Sequence, residues 1–211
     1  MRLVAPLAVV AVALCFHATG HAQQLVTVDA ATAHSTTALV RLWQRAGSCW
    51  QPYKGPWPAH VGRTGLSSHH REGDGTTPLG TFAIGSVAYG IAADPGTKLT
   101  YHRLVCGDWW DEDPTSAAYN RFVHIRCGAR PTFNADSEAL WKPARAYVHF
   151  AVIEYNAGPI VPGRGSAIFI HADTGTPTNG CVSLPRADLD ELLRWLEPAA
   201  APRVAIRLRA S

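Results

Sequence analysis

The stretch 166-SAIFIHADTGTPTNGCVSLPRADLDELLRWLEP-198 decides the fold. It holds three patterns in order. The run 167-AIFI-170 is apolar on both alternating faces, which predicts a central strand covered on both sides. His171 ends that run, and a polar, glycine-containing loop leads to Cys181. After a short extended piece, 185-PRADLDELLRWLE-197 reads as a helix. Pro185 suits its first turn, where the missing N–H is not needed. Asp188, Asp190 and Glu191 lie in the first two turns, and Pro198 marks the stop. Leu189, Leu192, Leu193 and Leu196 recur at i, i+3, i+4 and i+7, a face that packs on a sheet. Trp195, beside that stripe, reads as structural.

Working outward, strands are expected at 24–29, 37–45, 79–85, 146–155, 166–171 and 203–209. In the last, Val204, Ile206 and Leu208 alternate with Arg203, Ala205, Arg207 and Arg209, giving one apolar and one polar face. Glycine and proline are scattered as turn punctuation, with no repeat and no linker. Strands dominate and one helix comes late. The expected fold is therefore mainly β, a β-sandwich-like or open-barrel domain carrying a helix near the C-terminus.

The chain has 211 residues, 47% hydrophobic and 17% charged, enough apolar material for one sizeable core and against global disorder. Its first residues read as an address. Arg2 precedes the apolar run 3-LVAPLAVVAVALCF-16, and Gly20 and Ala22 occupy small-residue positions, so cleavage is expected after Ala22. The run is short for a bilayer span, which needs ~20 apolar residues. Cys15 follows Leu14 rather than a small residue, which argues against a lipid-anchored cysteine. The organisation expected is a signal peptide over 1–22 and a single domain over 23–211. Removing 1–22 takes one Arg and no acidic residue from a formal charge of +3, leaving +2. That balance does not suggest nucleic acid. No stable membrane insertion is expected after cleavage, and a monomer is expected.

Export changes the reading of the cysteines, since an oxidising compartment permits disulfides. Cys49, Cys106, Cys127 and Cys181 remain after cleavage and allow three full pairings, or one bridge with spare thiols. Cys106 and Cys127 share one loop-rich aromatic segment and form the natural pair, which leaves Cys49 unpaired. A Cys49–Cys181 bridge would instead remove any nucleophilic role for Cys181.

Cys181 lies between a buried strand and a helix. A thiol near a helix N-terminus has its thiolate favoured. Gly180 allows close backbone approach, and N–H groups around Gly180 and Cys181 are candidates to hold a developing oxyanion. His171, at a strand end, is the candidate base. No CxxC or HxxxH pattern accompanies the pair, so no metal site is expected, and His69 and His70 read as solvated loop residues. No cofactor is expected. Trp109 and Trp110 are candidates to line a cleft, against the alternative of core packing. Glu72 and Asp74 could hold a substrate amine, although acid–glycine pairs commonly build turns. Arg164, just before the central strand, could pair with a substrate carboxylate.

These residues resemble the catalytic domain of the L,D-transpeptidases, which cross-link bacterial peptidoglycan through a cysteine. The parallels are 168-IFIH-171, the box 178-TNGC-181, the following 182-VSLPRADLDELLRWL-196, and an upstream turn, 77-TPLGTF-82. Segments 117-AAYN-120, 155-YN-156 and 163-GRGSAIFIH-171 resemble a less-studied branch of the same family. The resemblance implies a β-sandwich-like fold and ping-pong acyl transfer on peptidoglycan stem peptides in the periplasm or cell envelope. Cys181 would attack the carbonyl joining a diamino acid to terminal D-alanine, and His171 would take the thiol proton. Thr178 would shape the loop, and the backbone of Asn179, Gly180 and Cys181 would form the oxyanion hole. The sequence departs from the family in three places. Asn179 stands where His is usual, the loop from His171 to Cys181 is shorter, and Ser183 stands where Asn or Arg is common. These departures bear on the acyl acceptor. Water as acceptor would make an L,D-carboxypeptidase, and loss of chemistry would leave a wall-binding protein that keeps the fold.

Overall fold

The computed structural model describes residues 16–17, 20–134 and 137–209. Most of the leader read from the sequence, including Cys15, lies outside the described residues. The strands are β1 (Phe16–His17), β2 (Gln24–Ala30), β3 (Thr37–Ala46), β4 (Cys49–His60), β5 (Leu66–Ser67), β6 (Thr77–Pro78), β7 (Gly80–Gly90) and β8 (Thr100–Arg103). They continue as β9 (Asp108–Asp111), β10 (Arg121–His124), β11 (Glu138–Ala139), β12 (Phe150–Ile153), β13 (Phe169–Ala172), β14 (Val182–Leu184) and β15 (Arg203–Leu208). The helix α1 spans Arg186–Trp195, so the fold is mainly β with one α-helix near the C-terminus among the described residues.

The main sheet runs β4-β14-β13-β12-β7-β15-β2-β3, and β3 pairs back onto β4. The sheet thus closes on itself, which leaves few free edges. β1 adds to β4, and β8 to β7. The inner face carries Val26 and Val28, Val40 and Leu42, Ile170 and Ala172, and Val204 and Ile206, all buried in one cluster. Leu189, Leu192 and Leu193 of the helix and Leu196 at its C-cap complete that cluster, each with no exposed surface, as their spacing requires.

A second cluster covers the outer face of β12 and β13. Phe150, Val152 and Phe169 pack there with Tyr89, Trp110, Leu140 and Tyr147. The cover comes from residues 100–148, which carry the small sheet β10-β9-β11. β13 is therefore buried on both faces, the physical reason that 167-AIFI-170 shows no polar alternation.

Three strand expectations shift. The strand expected over 79–85 runs on to Gly90. Over 146–155, only Phe150–Ile153 is strand, and Ala146–Val148 forms a 3-10 turn. Tyr147 N–H turns back to Pro143 O, and the buried His149 is held by Asp190 Oδ1 at 2.6 Å and Ala93 O at 2.8 Å. Over 166–171 the strand begins only at Phe169, because Ala167 has φ +52° and cannot continue a ladder. The strand β4 has no counterpart among the expected ones. Its prolines and mostly exposed residues hide the pattern, and its length is set by pairing with β3.

Cys106 and Cys127 are disulfide-bonded and tie the outer cover together. Cys49 is disulfide-bonded as well, not unpaired, and Cys181 is the free cysteine among the described residues. No described helix is long and apolar enough to cross a membrane.

The leucine face makes a stability prediction. Leu192→Ala should lower unfolding free energy by about 2–5 kcal/mol in urea titrations, since it empties a sealed site. Arg186→Ala, on the exposed face, should change it by less than about 0.5 kcal/mol. Equal effects would show that the helix is not packed as described.

Candidate active site

The site follows from the register of two parallel strands. Ile170 pairs with Val182, and His171 with Ser183. One residue earlier on each strand, Phe169 faces Cys181. Side chains alternate, so Cys181, Phe169 and His171 share the outer face of the sheet. Cys181 and His171 are diagonal neighbours, which sets their backbones roughly 7–8 Å apart.

The Cys181 thiol is specifically held. Its sulfur accepts from Phe169 N–H at 3.3 Å, and it donates to Ala167 O at 3.2 Å. It makes no hydrogen bond to His171, though both line one cleft of about 440 Å³. Burial pushes the thiol pKa up. The Phe169 N–H opposes that shift, and the charges of Glu138 and Glu112 add to it. This reverses the expectation of a thiolate favoured by the helix. The helix begins at Arg186, past the three-residue strand β14 and Pro185, so its N-terminus lies more than roughly 10 Å along the chain from Cys181, beyond the reach of a first-turn dipole.

His171 is buried, and its Nδ1 lies 2.8 Å from Ala172 O. A carbonyl only accepts, so Nδ1 carries the proton and Nε2 keeps its lone pair. Burial lowers the His171 pKa, opposed by the Ala172 bond and by Asp173. The ring is therefore neutral at neutral pH and available as a base. Tyr147 packs edge-on against it at 5.8 Å.

The loop before Cys181 is fixed through Thr178. Its N–H donates to Val61 O at 2.9 Å, and its O accepts from Arg63 N–H at 2.7 Å. Its hydroxyl donates to Cys181 O at 2.6 Å and accepts from Gly180 N–H at 3.1 Å. Thr77, from the Thr-Pro turn, also donates to Cys181 O at 3.4 Å. That contact gives the upstream turn its place in the site. Gly180 has φ +144°, and a Cβ there would stand 3.0 Å from Thr76 O, so glycine is required. Asn179 is exposed, and its Oδ1 accepts from Arg63 Nε at 2.9 Å. Its amide is thus committed away from the thiol.

The other candidates are placed as follows. Trp110 is buried, donates to Asn120 Oδ1 at 3.0 Å and packs edge-on against Phe169 at 5.1 Å. Trp109 packs with Phe133 and Trp141. Both sit behind the cleft rather than along it. Arg164 contributes its carbonyl to Tyr155 Oη at 2.8 Å, and its side chain does not line the cleft. Glu72 does line it, held by the Tyr119 and Ser166 hydroxyls.

Several cleft residues were not singled out from sequence. His70 is buried rather than solvated. Asp74 and Thr76 hold its Nδ1, each at 3.0 Å, and Gly165 leaves room for its ring. Arg63, Glu138 and Tyr147 complete the walls. Burial raises the Glu138 carboxyl pKa to about 7, and Tyr147 donates its hydroxyl to it. No sequence signal near Cys181 points to them, because each arrives from a distant loop. Among the described residues, no group of three or more His, Cys, Asp or Glu is arranged to hold a metal ion.

The raised thiol pKa predicts the chemistry of the free protein. Alkylation of Cys181 by iodoacetamide, followed by mass spectrometry, should be slow at pH 7 and still rising at pH 9. An ordinary exposed cysteine has a pKa of about 8.5. A plateau at or below that pH would contradict the described thiol environment.

Comparison with known proteins bears on the same residues. No curated protein and no solved structure matches the chain. The model of the YkuD family, described as the L,D-transpeptidase catalytic domain, matches residues 23–206. That span takes in the Thr-Pro turn, His171, the 178-TNGC-181 loop and the helix, and the chain belongs to the YkuD family of L,D-transpeptidase catalytic domains.

Proposed function

We propose that this chain is an exported cysteine acyltransferase acting on peptidoglycan stem peptides, with Cys181 as nucleophile and His171 as base. The observation that carries the reading is the common face of Cys181 and His171 in one cleft. The family match supports the substrate class. Export is supported by the leader pattern of residues 1–22 and by the Cys106–Cys127 disulfide, which suits an oxidising compartment. Residues 23–211 would act as one catalytic domain.

In this reading a stem tetrapeptide enters the cleft and displaces the thiol from Ala167 O. Its proton passes to His171 Nε2, and the sulfur attacks the carbonyl of the third residue, a diamino acid. A tetrahedral oxyanion forms. Gly180 N–H is already used by Thr178, so the amides of Asn179 and Cys181 are the loop donors left for it. Collapse breaks the amide bond, and D-alanine leaves with the proton from His171. The Cys181 thioester is then attacked by an amine of a second stem, whose proton returns through His171 to the thiol. The raised pKa suits this order, because the sulfur stays protonated until a substrate and base are in place.

Incubation with disaccharide tetrapeptides and analysis of products tests the reading. Wild type should release D-alanine, and Cys181→Ala should release none above background. His171→Ala should lose about 10²–10⁴-fold in rate, the range of a general base. Release of D-alanine by Cys181→Ala would refute the proposal. A cross-linked dimer identifies an amine acceptor, whereas a trimmed tripeptide identifies water and a carboxypeptidase. An inert Cys181 that forms no thioester or carbapenem adduct would leave a wall-binding protein that keeps the fold.

A further inference from the structure

The segments 117-AAYN-120 and 155-YN-156 converge on one short stretch, 164–167, just before β13. Tyr155 Oη donates to Arg164 O, and Tyr119 Oη accepts from Gly165 N–H at 3.1 Å. Asn156 Nδ2 donates to Gly165 O at 2.9 Å. Asn120 is the centre of the group. It is buried, and its amide makes four bonds, the full capacity of an asparagine side chain. Oδ1 accepts from Trp110 Nε1 at 3.0 Å and from Ala167 N–H at 3.1 Å. Nδ2 donates to Tyr155 O at 3.0 Å and Asn156 O at 3.1 Å. Because two partners only donate and two only accept, the amide has one orientation.

Ala167 is the residue so held. Its φ of +52° is unfavourable for a side chain with a Cβ and persists only where the surroundings enforce it. In that conformation its N–H meets Asn120 and its carbonyl meets the Cys181 thiol. Asn120 itself has φ +57°, a conformation that asparagine tolerates better than most residues. An aspartate could not donate to the two carbonyls, and a leucine of similar size could make none of the four bonds.

We propose that Asn120 is a positioning residue for Cys181: it fixes the left-handed backbone of Ala167, whose carbonyl holds the thiol in its resting orientation. The step it serves is the acyl transfer proposed above, so its part in turnover rests on that reading. Its effect on the thiol does not. The clamp keeps the proton on sulfur in the empty site and the sulfur aimed into the cleft. Its loss makes the thiol easier to ionise without substrate and less well placed to attack.

The test uses the full mature chain and Asn120→Gly, which keeps the left-handed backbone without strain and deletes the amide. Folding is checked by thermal melting. Iodoacetamide alkylation of Cys181 as a function of pH should shift toward lower pH by about one unit, or about tenfold faster at pH 7. D-alanine release should fall in kcat by tenfold or more, with KM nearly unchanged. A folded Asn120→Gly protein whose alkylation profile superimposes on wild type would overturn the proposal, whatever its activity. Should that variant not fold, the coupling is read in wild type from the other end. Alkylated Cys181 can no longer donate to Ala167 O, so hydrogen exchange at the Ala167 amide should quicken at least tenfold, and unchanged exchange would overturn the proposal. Failure of the acyltransferase reading is seen separately, as D-alanine release that survives Cys181→Ala.

Discussion

The parallel pairing of Phe169–Ala172 with Val182–Leu184 is the constraint on which the site depends. Parallel neighbours need the chain to return along the strand before it can pair again. Here the polar loop 173–181 makes that return without a helix, and it delivers Cys181 beside the start of β13. Alternation then places His171 on the same face, two residues along. A slip of one residue in this register would turn Cys181 to the inner core, where Val182 and Ile170 now sit. Both strands are wholly buried, so such a slip would exchange every inner and outer side chain, and the core resists it.

The second determinant is the cover over the outer face. Residues 100–148 lay Trp110, Leu140 and Tyr147 across Phe150 and Phe169. The Cys106–Cys127 bond and the pairing of β9 with β10 and β11 hold that cover together. Its effect on the site is electrostatic as well as steric. Burial beneath the cover raises the Cys181 thiol pKa and lowers that of His171, so both groups rest in neutral form. In the acyl transfer proposed above, a neutral thiol and a neutral imidazole in one cleft would be the start state for proton transfer coupled to attack. It differs from cysteine sites that hold a preformed thiolate at a helix N-terminus.

Asn179 illustrates how a departure from a family pattern can be read physically. Its side chain is turned outward to Arg63, not toward the sulfur. A buried imidazole is still present beside the loop, since His70 arrives from residues far away and lies next to Gly180 and Gly165. The Thr-Pro turn acts on the same loop through Thr77 and the Cys181 carbonyl. Elements separated by about a hundred residues in the chain thus meet on four consecutive positions, 178–181.

The amino-acid pattern by itself determined the β character, the leucine face of the helix, the two-sided burial of 167-AIFI-170, and the succession of His171, loop and Cys181. These depend on local periodicity and on neighbours in sequence, which a chain carries openly. It did not determine the closure of the sheet, the extent of β4, or the late start of the 166–171 strand at Phe169, because each is set by a distant partner. Nor did it determine the state of the thiol. Proximity in sequence suggested that the helix would favour a thiolate. Only the tertiary structure shows a strand of three residues between them and the burial of the sulfur beneath the cover. The ionisation of a group depends on everything around it, and what surrounds Cys181 comes from Phe169, Ala167, Tyr147 and the charges of Glu138 and Glu112.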